Sequence, residues 1–358
     1  MPYNNEFYLA SAGAGKTTMI CQYALQHPDQ KVLLTTYTHE NTTLLSSSLC
    51  RQNGFLPQNV TVMSWFSFLL CECIRPYQNY LYEERIENLH FVPYISAKYK
   101  RRDNIQQFYF SDKTHIFSDK MSDFAFRCNA VSNGLVIKRL EQLFDVFILD
   151  EAQDIAGWDF DFISLLLESK IKVIMVGDVR QRTYSTTKSA KNKKYAENIY
   201  LWYRDLEKAN YGKVVILNQS YRCIQPICDF ADSLFPDLPN TTSLNTDKTN
   251  HMGLYVVSPT DLDKYCEMYS PQVLVYDKRA AKKVGGIATR NFGAVKGQTF
   301  ERVLIVPTKN MEKYLSTGNI EEITAAKEKI YVAITRAKFS VAFLTSCQVA
   351  MDNVKLWK

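Results

Sequence analysis

A run of small residues closed by Lys-Thr, set directly behind a short apolar stretch, constrains this chain more than any other feature. Glu6-Phe7-Tyr8-Leu9 reads as a strand. Ala10-Ser11-Ala12-Gly13-Ala14-Gly15-Lys16-Thr17-Thr18 follows it and leads into a helical stretch over residues 17–27. Strand, small-residue loop, Lys-Thr and helix is the order that builds a cradle for a triphosphate. Small side chains let successive backbone N–H groups converge on phosphate oxygens, the Lys ammonium reaches the β and γ phosphates, and the Thr hydroxyl reaches Mg²⁺. The strict pattern has Gly five places before Gly15; here Ala10 stands there, still small enough for close packing. The expectation is an ATP-binding protein, with Ala12, Gly13, Ala14, Gly15, Lys16, Thr17 and Thr18 around the phosphates and Thr17 on the metal.

A second half-site supports it. Phe144-Asp145-Val146-Phe147-Ile148-Leu149 ends in Asp150-Glu151-Ala152-Gln153-Asp154. An apolar run of this kind reads as a buried parallel strand that delivers carboxylates to its C-terminal edge, where α/β sheets bind ligands. Asp150 is placed to hold Mg²⁺, directly or through water. Glu151 is placed to polarise an attacking water, because phosphoryl transfer needs little beyond positioning and charge stabilisation. Solvated acids capping the next helix would be the plain alternative; behind a phosphate loop that reading loses.

The 358 residues, 46% of them apolar, suffice for two ordinary cores. Net charge is +6, gathered partly into clusters at 98–102, 188–194 and 278–283. Such clusters mark soluble surface, and with 13% aromatics they also suit a strand of nucleic acid. Nine cysteines at scattered spacings read as reduced cytosolic thiols, and none has partners at zinc or iron–sulfur spacing. No signal peptide and no membrane-length apolar run is expected, which points to a cytoplasmic protein.

Strands alternate with helical stretches: 31–36, 60–63, 144–149 and 172–176 are short β runs, with helix over 158–168. This is the signature of a doubly wound parallel sheet in an α/β fold. Residues 76–125, rich in Tyr, Lys and Arg, interrupt the alternation and read as an inserted helical subdomain. A second α/β unit begins near 213–217 and continues through 272–276, 302–306 and 340–344. The expected division is 1–75 with 126–212, the insertion 76–125, and 213–358.

Further segments complete an ordered series: Leu34-Thr35-Thr36-Tyr37-Thr38, Val176-Gly177-Asp178 through Gln181 to Tyr184, Asn218-Gln219-Ser220-Tyr221-Arg222, Gly293 to Gly297, and Tyr331 through Thr335-Arg336-Ala337-Lys338. Their order and spacing, from about residue 7 to about residue 345, resemble the UvrD/Rep-type helicases of superfamily 1. The resemblance implies two RecA-like domains with ATP between them. It implies that Gln181 senses the γ phosphate, that Tyr221 stacks on adenine, and that Gly297 lies near the nucleotide. It also implies that Arg222 reaches the γ phosphate and that Arg336 is an arginine finger. Two arginines answer the charge that develops in the transition state. On the nucleic-acid side it implies single-stranded DNA or single/double-strand junctions, moved 3′ to 5′. Thr35, Tyr37, Thr38, Ser64, Trp65, Tyr184 and Lys296 are the matching contacts, and base stacking on aromatics is tolerant of sequence.

The chain departs from the family pattern in four places. No Gln-containing adenine motif precedes the phosphate loop, so adenine selectivity leans on Tyr221. Ser185-Thr186-Thr187 stands where an aromatic that stacks between bases is usual. Thr299 stands where an acid near the ribose is usual. About 70 residues separate Arg222 from Gly293, where large family members insert a whole domain. A minimal two-domain motor is expected, in one of two function classes. One is a DNA-dependent ATPase that translocates and unwinds. The other is an ATP-driven DNA sensor serving a partner nuclease, as in compact Gabija-type antiphage systems. A small-molecule kinase or NTPase does not account for Gln181, Arg222 and Arg336 together.

Overall fold

The apolar runs pair into two six-stranded sheets in the computed structural model, which describes residues 4–358. The chain divides into two compact units. The first comprises residues up to Leu9, Lys16–Val179 and Tyr184–Ile216; the second comprises Ala10–Gly15, Arg180–Thr183 and Leu217–Lys358. Both are RecA-like α/β layers.

The strands of the first part of the chain are β1 (Asn5–Ala10), β2 (Val32–Thr36), β3 (Val60–Ser64), β4 (Asn88–His90), β5 (His115–Phe117), β6 (Val146–Leu149), β7 (Lys172–Gly177) and β8 (Gly212–Leu217). Six of them form one sheet in the order β3-β2-β6-β7-β1-β8. The pairs β3–β2, β2–β6, β6–β7 and β7–β1 are all parallel. Strands β2 and β6 are buried along their whole length, so neither alternates: β6 is apolar throughout, and β2 is apolar until it ends in the buried Thr35 and Thr36. On one face, Ile20, Cys21 and Ala24 of helix α1 (Lys16–Gln26) and Leu45 and Leu49 of helix α2 (His39–Asn53) pack with Leu34, Ile148 and Val176. The spacing of four on each helix puts the paired side chains on one stripe. Helix α2 opens with the Thr38 hydroxyl accepting from Asn41 N–H at 3.1 Å and closes on Gly54 at φ +85°. These are the expected start and stop chemistries.

Two expectations about the first unit change. The run 213–217 does not open the second sheet: as β8 it lies beside β1 in the first. Ile216 is exposed and its neighbours are half-buried, which makes β8 an edge strand. An apolar run of that length says nothing by itself about which sheet it joins. The insertion also carries little helix. Residues 76–125 hold the five-residue helix Ile105–Tyr109, the start of the helix Met121–Val131, and the parallel pair β4–β5. Tyrosines and cations spread through this segment form no continuous apolar stripe, so polar contacts join the buried Ile86, Phe110, Ile116 and Phe124 in holding it. The Gln78 amide accepts from Ile86 N–H at 3.2 Å and donates to Glu84 O at 2.8 Å. Arg102 forms an ion pair with the buried Asp123, which also accepts from Tyr109 OH at 3.0 Å.

Beyond the two-residue strands β9 (Gln219–Ser220) and β10 (Thr242–Ser243) lies the second sheet. It is built from β11 (Gly253–Val257), β12 (Gln272–Val275), β13 (Thr289–Asn291), β14 (Phe300–Val306), β15 (Ala337–Leu344) and β16 (Val354–Leu356). The order is β13-β12-β14-β15-β11-β16, every pair parallel. The period-two alternation of a strand divides its core between two faces. Val303, Ile305, Val341 and Phe343 pack with the helices Gln225–Asp232, Lys309–Thr317 and Lys327–Ile334. Leu304, Val306, Ala342 and Leu344 pack with Leu262, Tyr265 and Trp357 on the other face. Strands β11, β13 and β16 were not anticipated from the sequence; β13 and β16 are three residues long, too short for a periodic signal.

Candidate nucleotide site and nucleic-acid interface

The phosphate loop leaves β1 at Ala10 and ends where Lys16 opens α1. Gly13 and Gly15 sit at φ +77° and +76°, a left-handed region that side chains disfavour. A Cβ on Gly13 would also lie 2.6 Å from Ser220 Oγ and 2.7 Å from Arg222 Cβ, so that position takes only glycine. The loop is pinned by Ala14 N–H on Ser11 O at 3.2 Å and by Ser11 N–H on Leu217 O at 2.8 Å. Lys16 and Thr17 are half-buried and Thr18 is exposed. A cradle closed to side chains, with a lysine at the first helical position, fits the phosphates of a nucleotide.

At the same C-terminal edge of the parallel sheet, β6 ends in Asp150 and Glu151. Asp150 is nearly buried; its N–H donates to Thr35 O at 2.9 Å, and its Oδ1 accepts from Glu151 N–H at 2.9 Å. Glu151 adopts φ +55°, uncommon for a residue with a side chain. Gln153 donates to the Glu151 carboxylate and accepts from Asp178 N–H at 3.0 Å, which ties β6 to the end of β7. Gly177 permits that approach: a Cβ there would stand 2.8 Å from Gln153 Oε1. In the sequence Gln153 is distinguished only by its place in the Asp-Glu-Ala-Gln-Asp run. Its positioning of Glu151 emerges from the three-dimensional arrangement.

The remaining expected nucleotide residues belong to the second unit. Gln181, 3% exposed, accepts from Arg336 Nη2 at 3.3 Å. Arg336 is fully buried and also donates to Val332 O at 3.0 Å and Gln298 O at 3.4 Å. Arg222 donates to Thr335 O at 3.1 Å. Tyr221 is 62% exposed, its N–H bonded to Gly13 O at 2.9 Å, with its ring edge 3.9 Å from where a Gly15 Cβ would be. Gly297, at φ +84°, completes a turn in which Gln298 N–H reaches Val295 O at 3.0 Å; Lys296 precedes it, half-buried. Arg180 escaped the sequence reading. It is buried, with Nη1 on Ser11 Oγ at 3.3 Å and Nη2 3.7 Å from the Asp232 carboxylate. Nothing in the spacing distinguishes it from a surface arginine.

On the expected nucleic-acid side, Tyr37, Thr38, Ser64 and Tyr184 line one cavity of the first unit, and Phe66 joins them. Two expected contacts do not reach a surface. Thr35 is fully buried in β2, an interior strand between β3 and β6. Trp65, at the start of helix α3 (Trp65–Phe68), is fully buried among Phe68, Phe147 and Phe162, with Nε1 donating to Asp159 Oδ1 at 3.1 Å. Ser64 and Phe66 of the same segment line the cavity, while its apolar face turns the indole inward. Asp159 is itself buried. It accepts from Thr186 Oγ1 at 2.5 Å, Ala156 N–H at 3.1 Å and Ser122, while burial pushes its carboxyl up from the usual range. Phe91 and Leu89, which also line the cavity, come from the insertion, where no motif announced them.

A glycine cradle ending in lysine, with acids on the same edge of a RecA-like sheet, defines the class of P-loop nucleoside triphosphatases. Within that class, a family model for the viral superfamily 1 RNA helicase core domain matches residues 107–345, more than half of the chain, and the chain belongs to that family. The matched range takes in Asp150, Glu151, Gln181, Arg222 and Arg336 and begins beyond the phosphate loop. No curated protein matches the chain. Among solved structures, the arterivirus nonstructural protein 10 helicase is 15% identical, with a TM-score of 0.47, over 95% of this chain and 59% of that one. The same helicase in complex with DNA is 14% identical, with a TM-score of 0.47, over 96% of this chain and 60% of that one. The chain thus spans about three fifths of the length of both. No helix among the described residues is long and apolar enough to cross a membrane.

Proposed function

We propose that this chain is an ATP-driven motor that moves along single-stranded nucleic acid. The observation that carries the reading is the phosphate loop with Lys16 and the acids Asp150 and Glu151 on one edge of the first sheet. The N–H groups of residues 13–15 and the Lys16 ammonium would bind the triphosphate. Mg²⁺ held by the Thr17 hydroxyl and the Asp150 carboxylate, together with phosphate oxygens, would supply charge neutralisation, in keeping with that ion's preference for few protein ligands. Glu151, steadied by Gln153, orients the attacking water and takes its proton. Arg222 and Arg336 meet the charge that develops on the transferred phosphoryl group, and an arginine in this role is worth about 10³–10⁵ in turnover. Gln181, bonded to Arg336, couples that site to the bound strand. Tyr221, open on one face, stacks on the base of the nucleotide.

The order of motifs supports a compact UvrD/Rep-type motor that moves 3′ to 5′ on single-stranded DNA. The family model, described as an RNA helicase core, favours RNA as the second reading. A motor that serves a partner nuclease, as in Gabija-type defence, rests on the motif resemblance alone. Scattered thiols, all free in the structure, support a cytoplasmic setting.

The deciding experiment measures ATP hydrolysis by the wild type and Arg336→Ala, each alone, with single-stranded DNA and with single-stranded RNA of the same sequence. Strong stimulation by a strand, lost in the variant, is expected; the polymer that stimulates more identifies the track. Hydrolysis indifferent to either polymer would overturn the motor. Strand displacement by the isolated chain then separates an unwinding motor from a subunit that works through a partner.

A further inference from the structure

The cavity in the first unit, about 280 Å³, is walled by two parts of the chain that the motifs do not connect. Phe66 comes from α3, while Leu89 and Phe91 come from β4 and the residue just past it. Phe91 is 57% exposed, and the Phe66 ring meets it edge-on, centroids 6.4 Å apart and planes at 85°. The exposed ring stands on a pinned backbone. Val92, next to it, is buried and donates its N–H to Ser118 Oγ at 3.0 Å, while Glu87 N–H reaches Thr114 O at 2.9 Å. A phenylalanine held open in this way covers no core and leaves one aromatic face available to a ligand.

The other lining groups narrow the choice of ligand. Among the described residues, the lining holds two acids, Glu40 and Asp154, beside one histidine, His39, and no lysine or arginine, a balance that disfavours phosphate and favours a flat, neutral group. Ser185 and Thr186 line it at the place where the sequence lacks the aromatic expected to stack between bases. The insertion supplies a ring from elsewhere. We propose that this cavity receives one unpaired nucleobase of the bound strand, with Phe91 as its stacking face. The inference rests on the reading of the chain as a strand-binding motor and adds the residue and the part of the strand that it grips.

The test compares wild type, Phe91→Ala and Phe91→Trp for binding to a single-stranded DNA oligonucleotide and to the same oligonucleotide stripped of its bases, and repeats it with RNA. Phe91→Ala should weaken binding to the intact strand roughly five- to 150-fold, the range that one stacked base is worth, and Phe91→Trp should restore it. On the baseless strand, wild type and Phe91→Ala should bind alike. Because Phe91 is exposed, its replacement leaves the core intact; Phe66→Ala, on the adjoining wall, should lower affinity for the intact strand in the same way. Wild-type affinity in Phe91→Ala, or an equal loss on the baseless strand, would overturn the base pocket. If that occurs while hydrolysis is still stimulated by the strand, the motor stands and only the pocket fails. Absence of strand binding by the wild type removes both.

Discussion

Glu151 shows how much of the chemistry depends on single backbone positions. A residue with a side chain in the left-handed region costs about 1–3 kcal/mol and persists only where its surroundings hold it. Here its N–H bonds to Asp150 and its carboxylate to Gln153. Glu151→Gln should therefore still bind ATP yet turn it over at least about 10²-fold more slowly, the usual weight of a positioned base. Nucleotide binding and single-turnover hydrolysis, measured side by side, check this, and unchanged turnover removes Glu151 from its role. Gly177→Ala acts one step further out, since the new methyl would collide with Gln153. It should slow hydrolysis with strand affinity intact and cost about 1–3 kcal/mol of stability, as overpacking does. Lys16, Asp150 and Glu151 stand out in the sequence because they are the residue types that phosphate and metal chemistry calls for. Gln153 and Gly177 carry no role readable from the sequence, because their work is defined by an approach between β6 and β7 that no spacing encodes.

At the scale of elements, the segment 64–70 was expected to meet the strand through Trp65, and the structure buries that side chain completely. The same apolar residues serve an interface or a core, and only the packing of Phe147 and Phe162 decides. Trp65→Phe would leave the buried Asp159 without one of its donors, at a cost of about 1–3 kcal/mol. Its affinity for single strands should stay within about twofold of wild type, since a fully buried indole touches no ligand; a much larger loss in folded protein would contradict the core assignment. A second element carries a pH signature. His251 lies stacked between Tyr255 and Tyr269, centroids 4.2 and 3.8 Å away, and accepts or donates at Tyr265 OH at 2.9 Å. Burial, aided by the Arg302 guanidinium, pushes its imidazole down to about 4. The folded state thus keeps it neutral, while the unfolded chain takes up a proton below about 6.5. Stability should be unaffected above that pH and fall as pH drops from about 6.5 towards 4, by roughly 3 kcal/mol at most. Thermal melts at several pH values, against His251→Phe, should show a shallower acid decline in the variant. Parallel declines would remove His251 as the cause.

For the whole molecule, the order of motifs pointed to a superfamily 1 helicase, and the family that matches within it is the viral RNA helicase core over residues 107–345; the alternation of strand and helix pointed to the α/β class. The boundary near 213 was not legible, because β8 is an edge strand with few buried side chains, and such a run fits either sheet. Nor was the character of the insertion, where buried apolar side chains occur without a helical or strand period and hydrogen bonds share the work. Each unit has its own core, with Ile148 among the buried residues of the first and Val303 and Leu304 in the second. Calorimetric unfolding should therefore depart from a single two-state transition. Ile148→Ala should lower the earlier or the later step and not both, at a cost of about 2–5 kcal/mol to its own unit. One transition that moves as a whole would show instead that the two cores melt together.

The strands β4 and β5 add an order in time. They are three residues each, parallel, and joined by residues 91–114, so the chain must close a long loop before the pair gains any bond. Closure of that kind is slow to form and readily lost. The amides of Leu89 and His90 should accordingly exchange with solvent well before those of Phe147 and Ile148 in β6. The ring of Phe91 would then be the last part of its cavity to assemble during folding and the first to leave it during a local opening.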